Sequence, residues 1–266
     1  MSKQPRIINL VSPSNHQHLL LVGSCLDRAI VSALRETAEF SAVVTDPPYS
    51  SGATHSNGRK ATPTSKYQQS GTARQYQDFL GDAMDQRSWA RWSGEWLSEV
   101  RGLCGPGAYS MIFSDWRQLP AITDAMQWAN WTWRGVAVWD KTEGARAPNK
   151  AYFRHQAEFV AWGTNGRLPP SFEKGRPTAP GVFRSSIDSK KIHLCQKPIS
   201  VMGWLLSLLP QEAEWVLDPF AGSGSTILAA DEAGLSCAAV EEHEAIADQA
   251  IERLLGKGFQ VISRAA

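Results

Sequence analysis

Ser41-Ala42-Val43-Val44-Thr45-Asp46-Pro47-Pro48-Tyr49 is a short apolar run that stops at an acid and two prolines. Apolar side chains at consecutive positions leave an extended segment no face for water, so the run reads as a strand buried on both sides. Strands of that kind belong to parallel sheets covered by helices. Upstream, HLLLVG over 18–23 is a second such run, and between the two, residues 27–40 carry Ile30, Val31, Leu34 and Ala38 at helical spacing. The result is a strand, helix, strand unit. A third run, EWVLD over 214–218, stops at Asp218. Further strands are expected at 108–113, 135–139, 158–162 and 236–240, and helices at 89–101, 119–128, 199–209, 225–233 and 243–255. This alternation predicts an α/β chain with a doubly wound, Rossmann-like, mixed but mostly parallel sheet.

The 266 residues suit one large domain with a deep cleft. Hydrophobic residues at 42% and charged residues at 20% are those of a globular protein, which argues against wholesale disorder. No apolar run is long enough to span a bilayer and no secretory signal opens the chain, so the expected place is the cytoplasm, away from membranes. Cys25, Cys104, Cys195 and Cys237 are far apart, without C-x-x-C or His at ligand spacing; the expectation is reduced thiols and no metal.

A net charge of +1 conceals an asymmetry along the chain. Residues 141–191 hold ten Lys/Arg against four Asp/Glu, residues 50–75 hold four against none, and residues 193–266 hold four against ten. Residues 50–75 and 163–191 also fit no regular element. Long basic loops on an acidic body point to phosphate contacts, with solvated loops as the plain alternative.

Two motifs carry chemistry. In the first, Pro47 and Pro48 fix φ and remove N–H donors, so carbonyls beside them escape helical bonding and can form a rigid acceptor wall. Asp46 adds carboxylate oxygens and Tyr49 a flat ring. Such a wall suits an amino group conjugated to an aromatic ring. Holding its two hydrogens frees the nitrogen lone pair, the carboxylate offsets charge that develops on nitrogen, and Tyr49 offers a stacking face for an extruded base. A helix cap followed by a Pro-Pro turn and a core Tyr is the structural alternative.

The second motif, Asp218-Pro219-Phe220-Ala221-Gly222-Ser223-Gly224-Ser225-Thr226, joins a strand to a helix. Gly222 and Gly224 permit a tight turn whose backbone approaches a ligand. No Lys follows the glycines as in a P-loop, and the third Gly of a dinucleotide fingerprint is missing. Asp218 suits a cationic ligand group. Glu241, after the strand at 236–240, is placed to accept the hydroxyls of a ribose.

With these residues quoted, the chain resembles the amino-methyltransferases of bacterial and phage DNA, in the subgroup whose catalytic motif precedes its cofactor motif. Asp46 to Tyr49 match the family's catalytic tetrapeptide, and Asp218 to Thr226 look like its cofactor motif. Val22-Gly23-Ser24-Cys25-Leu26 is similar to its opening strand and turn, with Ser24 where an Asp is usual. Val138-Trp139-Asp140-Lys141 and Tyr152-Phe153-Arg154-His155-Gln156-Ala157-Glu158 look like later catalytic strands. His193-Leu194-Cys195-Gln196-Lys197-Pro198 resembles the segment that leads a helix toward the cofactor, with Leu194 and Cys195 replacing Pro-Thr.

The resemblance implies a single domain over 1–266, with a catalytic half at about 17–162 and a cofactor half at about 193–256. Target-recognition loops would occupy about 50–75 and 141–192. It implies transfer of a methyl group from S-adenosylmethionine, leaving S-adenosylhomocysteine, to adenine N6 of extruded bases in double-stranded DNA, with no metal and with homodimers allowed. Asp46, Pro47, Pro48 and Tyr49 are then catalytic. Asp218, Phe220, Ala221, Gly222, Ser223, Gly224, Ser225, Thr226, Glu241, Lys197 and Cys25 would bind cofactor. Arg146, Lys150, Arg154, Arg167, Arg176 and Arg184 are candidate DNA contacts. Cytosine N4 is the rival target, although cytosine members more often carry Ser in place of the Asp. A DNA-binding protein that keeps the fold without the activity is the rival class.

Overall fold

The computed structural model describes residues 5–50, 84–145, 150–168, 178–188 and 196–265. In chain order these contain β1 (Arg6–Val11), β2 (Gln17–Val22), α1 (Arg28–Thr37), β3 (Phe40–Thr45), α2 (Gln86–Arg101), β4 (Cys104–Ser114), α3 (Leu119–Trp128) and β5 (Thr132–Asp140). They continue with β6 (Ala157–Thr164), β7 (Val182–Arg184), α4 (Ile199–Leu206), β8 (Trp215–Asp218), α5 (Ser225–Glu232), β9 (Ser236–Glu241), α6 (Glu244–Leu255) and β10 (Gln260–Ala265). The strands form one sheet in the order β10-β1-β2-β9-β8-β3-β4-β6-β5-β7.

Its centre, β2-β9-β8-β3-β4, is parallel throughout. Consecutive side chains of a strand point to opposite faces, and β3 shows what that demands here. Ala42 and Val44 enter one core with residues of α4, α5 and α6, while Val43 enters another with residues of α1, α2 and α3. Among the described residues each face is therefore covered by three helices, and the sheet is doubly wound. From β3 the chain steps to β4 on one side, whereas from β8 it steps to β9 on the other. The winding reverses between β8 and β3, and ligands in such sheets bind beyond the strand ends at that point.

Local sequence sets the helix ends. Asp27 accepts the Ala29 amide at 2.9 Å to open α1. Asp85 accepts those of Arg87 and Ser88 at 3.0 and 3.1 Å to open α2, which runs into Gly102.

Three expectations need correction. The segment 163–191 is not wholly irregular: β6 runs on to Thr164 and a short β7 pairs with β5. Two strands, β1 and β10, lie outside the elements expected from the sequence. They add an antiparallel edge to β2: β1 pairs with β2, the next strand along the chain, and β10 returns from the far end of the chain to pair with β1. The helix expected at 199–209 ends at Leu206. Residues 51–83 lie outside the described part, so the basic loop at 50–75 does as well, apart from Ser50.

Candidate active site

β3, β8 and β9 lie side by side, and the first two pair Ala42 with Val216 and Val43 with Leu217. Their carboxyl ends therefore present Asp46, Asp218 and Glu241 in a row. All three line one cavity of about 660 Å³, whose wall also includes Pro47, Pro48, Tyr49 and the turn from Phe220 to Ser223. The prolyl wall and the glycine turn open onto the same space.

The wall around Asp46 is a cluster of charges. Asp46 accepts hydrogen bonds from the Tyr49 hydroxyl and from the Lys197 ammonium. Tyr49 Oη lies 2.8 Å from Glu158 Oε1, Lys197 Nζ lies 2.8 Å from the same oxygen, and Lys141 Nζ stands 3.4 Å from Glu158 Oε2. Burial pushes the Asp46 carboxyl upward, Lys197 pulls it down, and the charge on Glu158 adds to the rise. For Glu158 burial acts upward too, but Lys197 and Lys141 outweigh it and hold the group down at about 2. Burial and the two carboxylates keep the Tyr49 phenol well above its ordinary range, hence protonated. The Pro48 carbonyl accepts the Trp89 indole N–H at 2.7 Å, which fixes the wall to α2.

Glycines shape the opposite wall. Gly222 has φ of 51° and Gly224 has φ of 75°, both left-handed, and a Cβ on Gly222 would meet no atom of the described residues within 4 Å. Glycine serves conformation here rather than close packing. Glu241 accepts the amides of Gly222 and His243, each at 2.9 Å, and burial raises its carboxyl to about 7. Asp218, raised to about 6 by burial, accepts the Thr45 hydroxyl at 2.5 Å, the Phe220 amide at 3.0 Å and the Thr226 hydroxyl. Arg253 Nη1 donates to Ser223 O, Ser223 Oγ and Ser225 Oγ at 2.9, 3.1 and 3.0 Å and so clamps the turn to α6. Phe220 packs edge-on to Trp96 at 5.1 Å and tilted to Trp92 at 5.4 Å, making an aromatic side to the cavity.

Two expected residues, Asp218 and Lys197, stand differently from their assigned parts. Asp218 spends its hydrogen-bonding capacity largely on bracing β8 to β3 and α5. Lys197, grouped with the cofactor residues, puts its ammonium on Asp46 and Glu158 instead; only its carbonyl faces the glycine side, accepting the Ser225 hydroxyl at 2.8 Å. Cys25 lines the cavity, but burial lifts its thiol to about 12, so it stays neutral. Among the DNA candidates, Lys150, Arg154, Arg167 and Arg184 are exposed, and Arg146 and Arg176 lie outside the described residues. Arg184 lies 3.6 Å from Asp140 and 3.7 Å from Glu143, which offsets its charge. Glu158, Lys141 and Thr45 went unassigned. The available signal was an acid, Glu158, opening an otherwise apolar strand.

The fold and this cavity define a class: an α/β chain with the sheet of the S-adenosylmethionine-dependent DNA methyltransferases. The DNA methylase family matches residues 40–180 and 171–252, and the chain belongs to that family. It is 35% identical over 99 residues to the type II methyltransferase M.HindIII of Haemophilus influenzae, covering 36% of this chain and 32% of that one. It is 25% identical over 197 residues to the methylase YubD of Escherichia coli, covering 72% and 71%. The first match thus spans about a third of the Haemophilus protein's length. Among solved structures, the complex of M1.HpyAVI with S-adenosylmethionine superposes with a TM-score of 0.61 at 19% identity, over 88% of this chain and 98% of that one. The cytosine-N4-specific PvuII DNA methyltransferase superposes with a TM-score of 0.63 at 13% identity, over 90% of each.

Proposed function

We propose that the chain transfers a methyl group from S-adenosylmethionine to adenine N6 in duplex DNA, acting on a base swung out of the stack. The observation that carries this reading is the shared cavity, with the Asp46 wall on one side and the Gly222 turn with Glu241 on the other.

The residues present fit the cofactor. Glu241 offers carboxylate oxygens at a strand end, the left-handed Gly222 leaves its surroundings open, and the Phe220 side supplies an apolar surface for a purine. When bound, S-adenosylmethionine supplies a methyl group on a positively charged sulfur. Asp46 and the carbonyl of Pro47 would accept the two amino hydrogens, which localises the nitrogen lone pair for in-line attack. Positive charge would develop on the amino nitrogen as it accepts the methyl group that the bound cofactor supplies. Asp46 would offset that charge until one of the amino protons it holds passes to solvent water, which leaves the methylated amino group neutral. Positioning and electrostatics do the work, and no covalent enzyme intermediate is needed.

The chain should be expressed in bacteria that lack DNA methylation and the genome sequenced by a method that detects modified bases. N6-methyladenine at one recurrent sequence is the expected result, and N4-methylcytosine would select the rival base. Asp46→Ala should lower methyl transfer by about 100-fold or more, the scale of losing one preorganised group at a developing charge. Full activity of that variant would remove the mechanism.

A further inference from the structure

The Asp46 cluster holds more charge than recognition of an amino group requires. The Tyr49 hydroxyl reaches both Asp46 Oδ1 and Glu158 Oε1, yet a phenol has one proton and can donate to only one of them. Two buried carboxylates bridged by a single phenol cannot both stay ionised without a nearby cation. Lys197 is that cation. Its side chain is 7% exposed, and its ammonium contacts Asp46 Oδ2 while lying 2.8 Å from Glu158 Oε1. The Phe113 and Tyr49 rings stand 5.1 and 5.5 Å away, so apolar walls rather than water flank it. Phe113 lies on β4, Glu158 on β6, and Lys197 just before α4, so three separate elements hold the arrangement.

We propose that Lys197 and Glu158 are positioning residues that set the ionisation of Asp46: the ammonium keeps that carboxylate available as an acceptor, and Glu158 tethers the ammonium to one of its oxygens. The proposal rests on the reading of Asp46 as acceptor for the amino hydrogens. With Oδ2 on Lys197 and Oδ1 on Tyr49, each oxygen keeps a further lone pair for the substrate. The charged and titratable groups facing Asp46 are Lys197, Glu158 and Tyr49, with Lys141 behind Glu158 and Asp218 on the neighbouring strand. Asp115, Arg117, His155, Glu242 and His243 line other parts of the cavity.

The test follows the Asp46 carboxyl directly, by carbon NMR of aspartate-labelled protein, with the resonance assigned by its loss in Asp46→Asn. Lys197→Met should raise the titration midpoint by at least about one pH unit, a tenfold loss of ionised carboxylate below it. Glu158→Gln keeps an amide oxygen to tether the ammonium but removes the like charge, so it should lower the midpoint; the double variant should fall between, and Lys197→Arg should stay near the parent. If Lys197→Met does not fold, Glu158→Gln and Lys197→Arg decide alone. Midpoints that agree within a few tenths of a unit across the folded variants would overturn the proposal. The acid limb of methyl transfer should move in step with the midpoints, which a purely structural role would not cause. Should the parent transfer no methyl group while the midpoints still move, the functional reading fails and the electrostatic assignment survives.

Discussion

Glu241 ends β9 with one oxygen on the Gly222 amide and the other on that of His243, and burial lifts its carboxyl to about 7. The carboxylate accepts ligand hydroxyls best when ionised, so affinity for S-adenosylmethionine should rise by roughly tenfold between about pH 6 and 8. Titration calorimetry at several pH values reads this, and Glu241→Gln should bind more weakly with a flat profile. His18 makes a different point, far from the cavity. It is 1% exposed, neither ring nitrogen has a hydrogen-bond partner within normal distance among the described residues, Asp231 Oδ1 lies 3.7 Å away, and burial lowers its pKa to about 4. The unfolded chain takes up this proton near 6.5 and the folded chain only near 4, so stability is full above 6.5 and falls with pH through that window. Two and a half pH units correspond to at most about 3 kcal/mol. Asp218 and Glu241, both raised, act with the opposite sign, destabilising the fold as pH rises toward 6 and 7. The informative measurement is therefore a difference: His18→Leu should lose less stability than the parent in denaturant melts taken from pH 7 to 4.

Between elements, the contact of α2 with α3 turns on one missing methyl group. A Cβ on Gly94 of α2 would fall 1.9 Å from Trp128 Cε3 of α3, closer than any packing allows. Trp128 is 62% exposed and its ring can turn outward, and Ala gains about 1 kcal/mol over Gly in a helix, so Gly94→Ala should cost at most about 1 kcal/mol of stability. Trp128→Ala removes the obstructing ring, so the double variant should be more stable than the sum of the single losses indicates, a coupling that chemical denaturation measures. This pairing was not legible in the sequence. Helix spacing announces an apolar face, but not which glycine of one helix will receive which ring of another. The same limit explains β10. β1 is a strand through its local antiparallel pairing with the next strand, β2, whereas β10 is one because the far end of the chain returns to the other edge of β1, a partner that its own short run does not announce.

For the whole molecule, the exposed bases divide by their surroundings. Lys150 and Arg167 are exposed, and Arg154 is exposed with one bond to the Ala145 carbonyl at 3.1 Å, whereas Arg184 already faces Asp140 and Glu143. If the first three meet DNA phosphates, replacing each by Gln should reduce the slope of log affinity against log salt by about 1, and Arg184→Gln should change it less. Fluorescence anisotropy with duplex DNA over a salt series checks this, and an unchanged slope for all four would place the duplex elsewhere. The strand-helix alternation, the acid and prolines after Thr45, the glycines after Asp218 and Glu241 at a strand end were all readable along the chain, because each is written in neighbouring residues. Local propensity and turn chemistry act over a few positions, and sequence displays them directly. What folding alone decided was company: that β3 lies against β8, that Asp218 braces Thr45 and Thr226, and that Lys197 meets Asp46 and Glu158 from distant segments. Charges interact through space across a buried, weakly screened interior, and the order of residues along a chain does not record those distances.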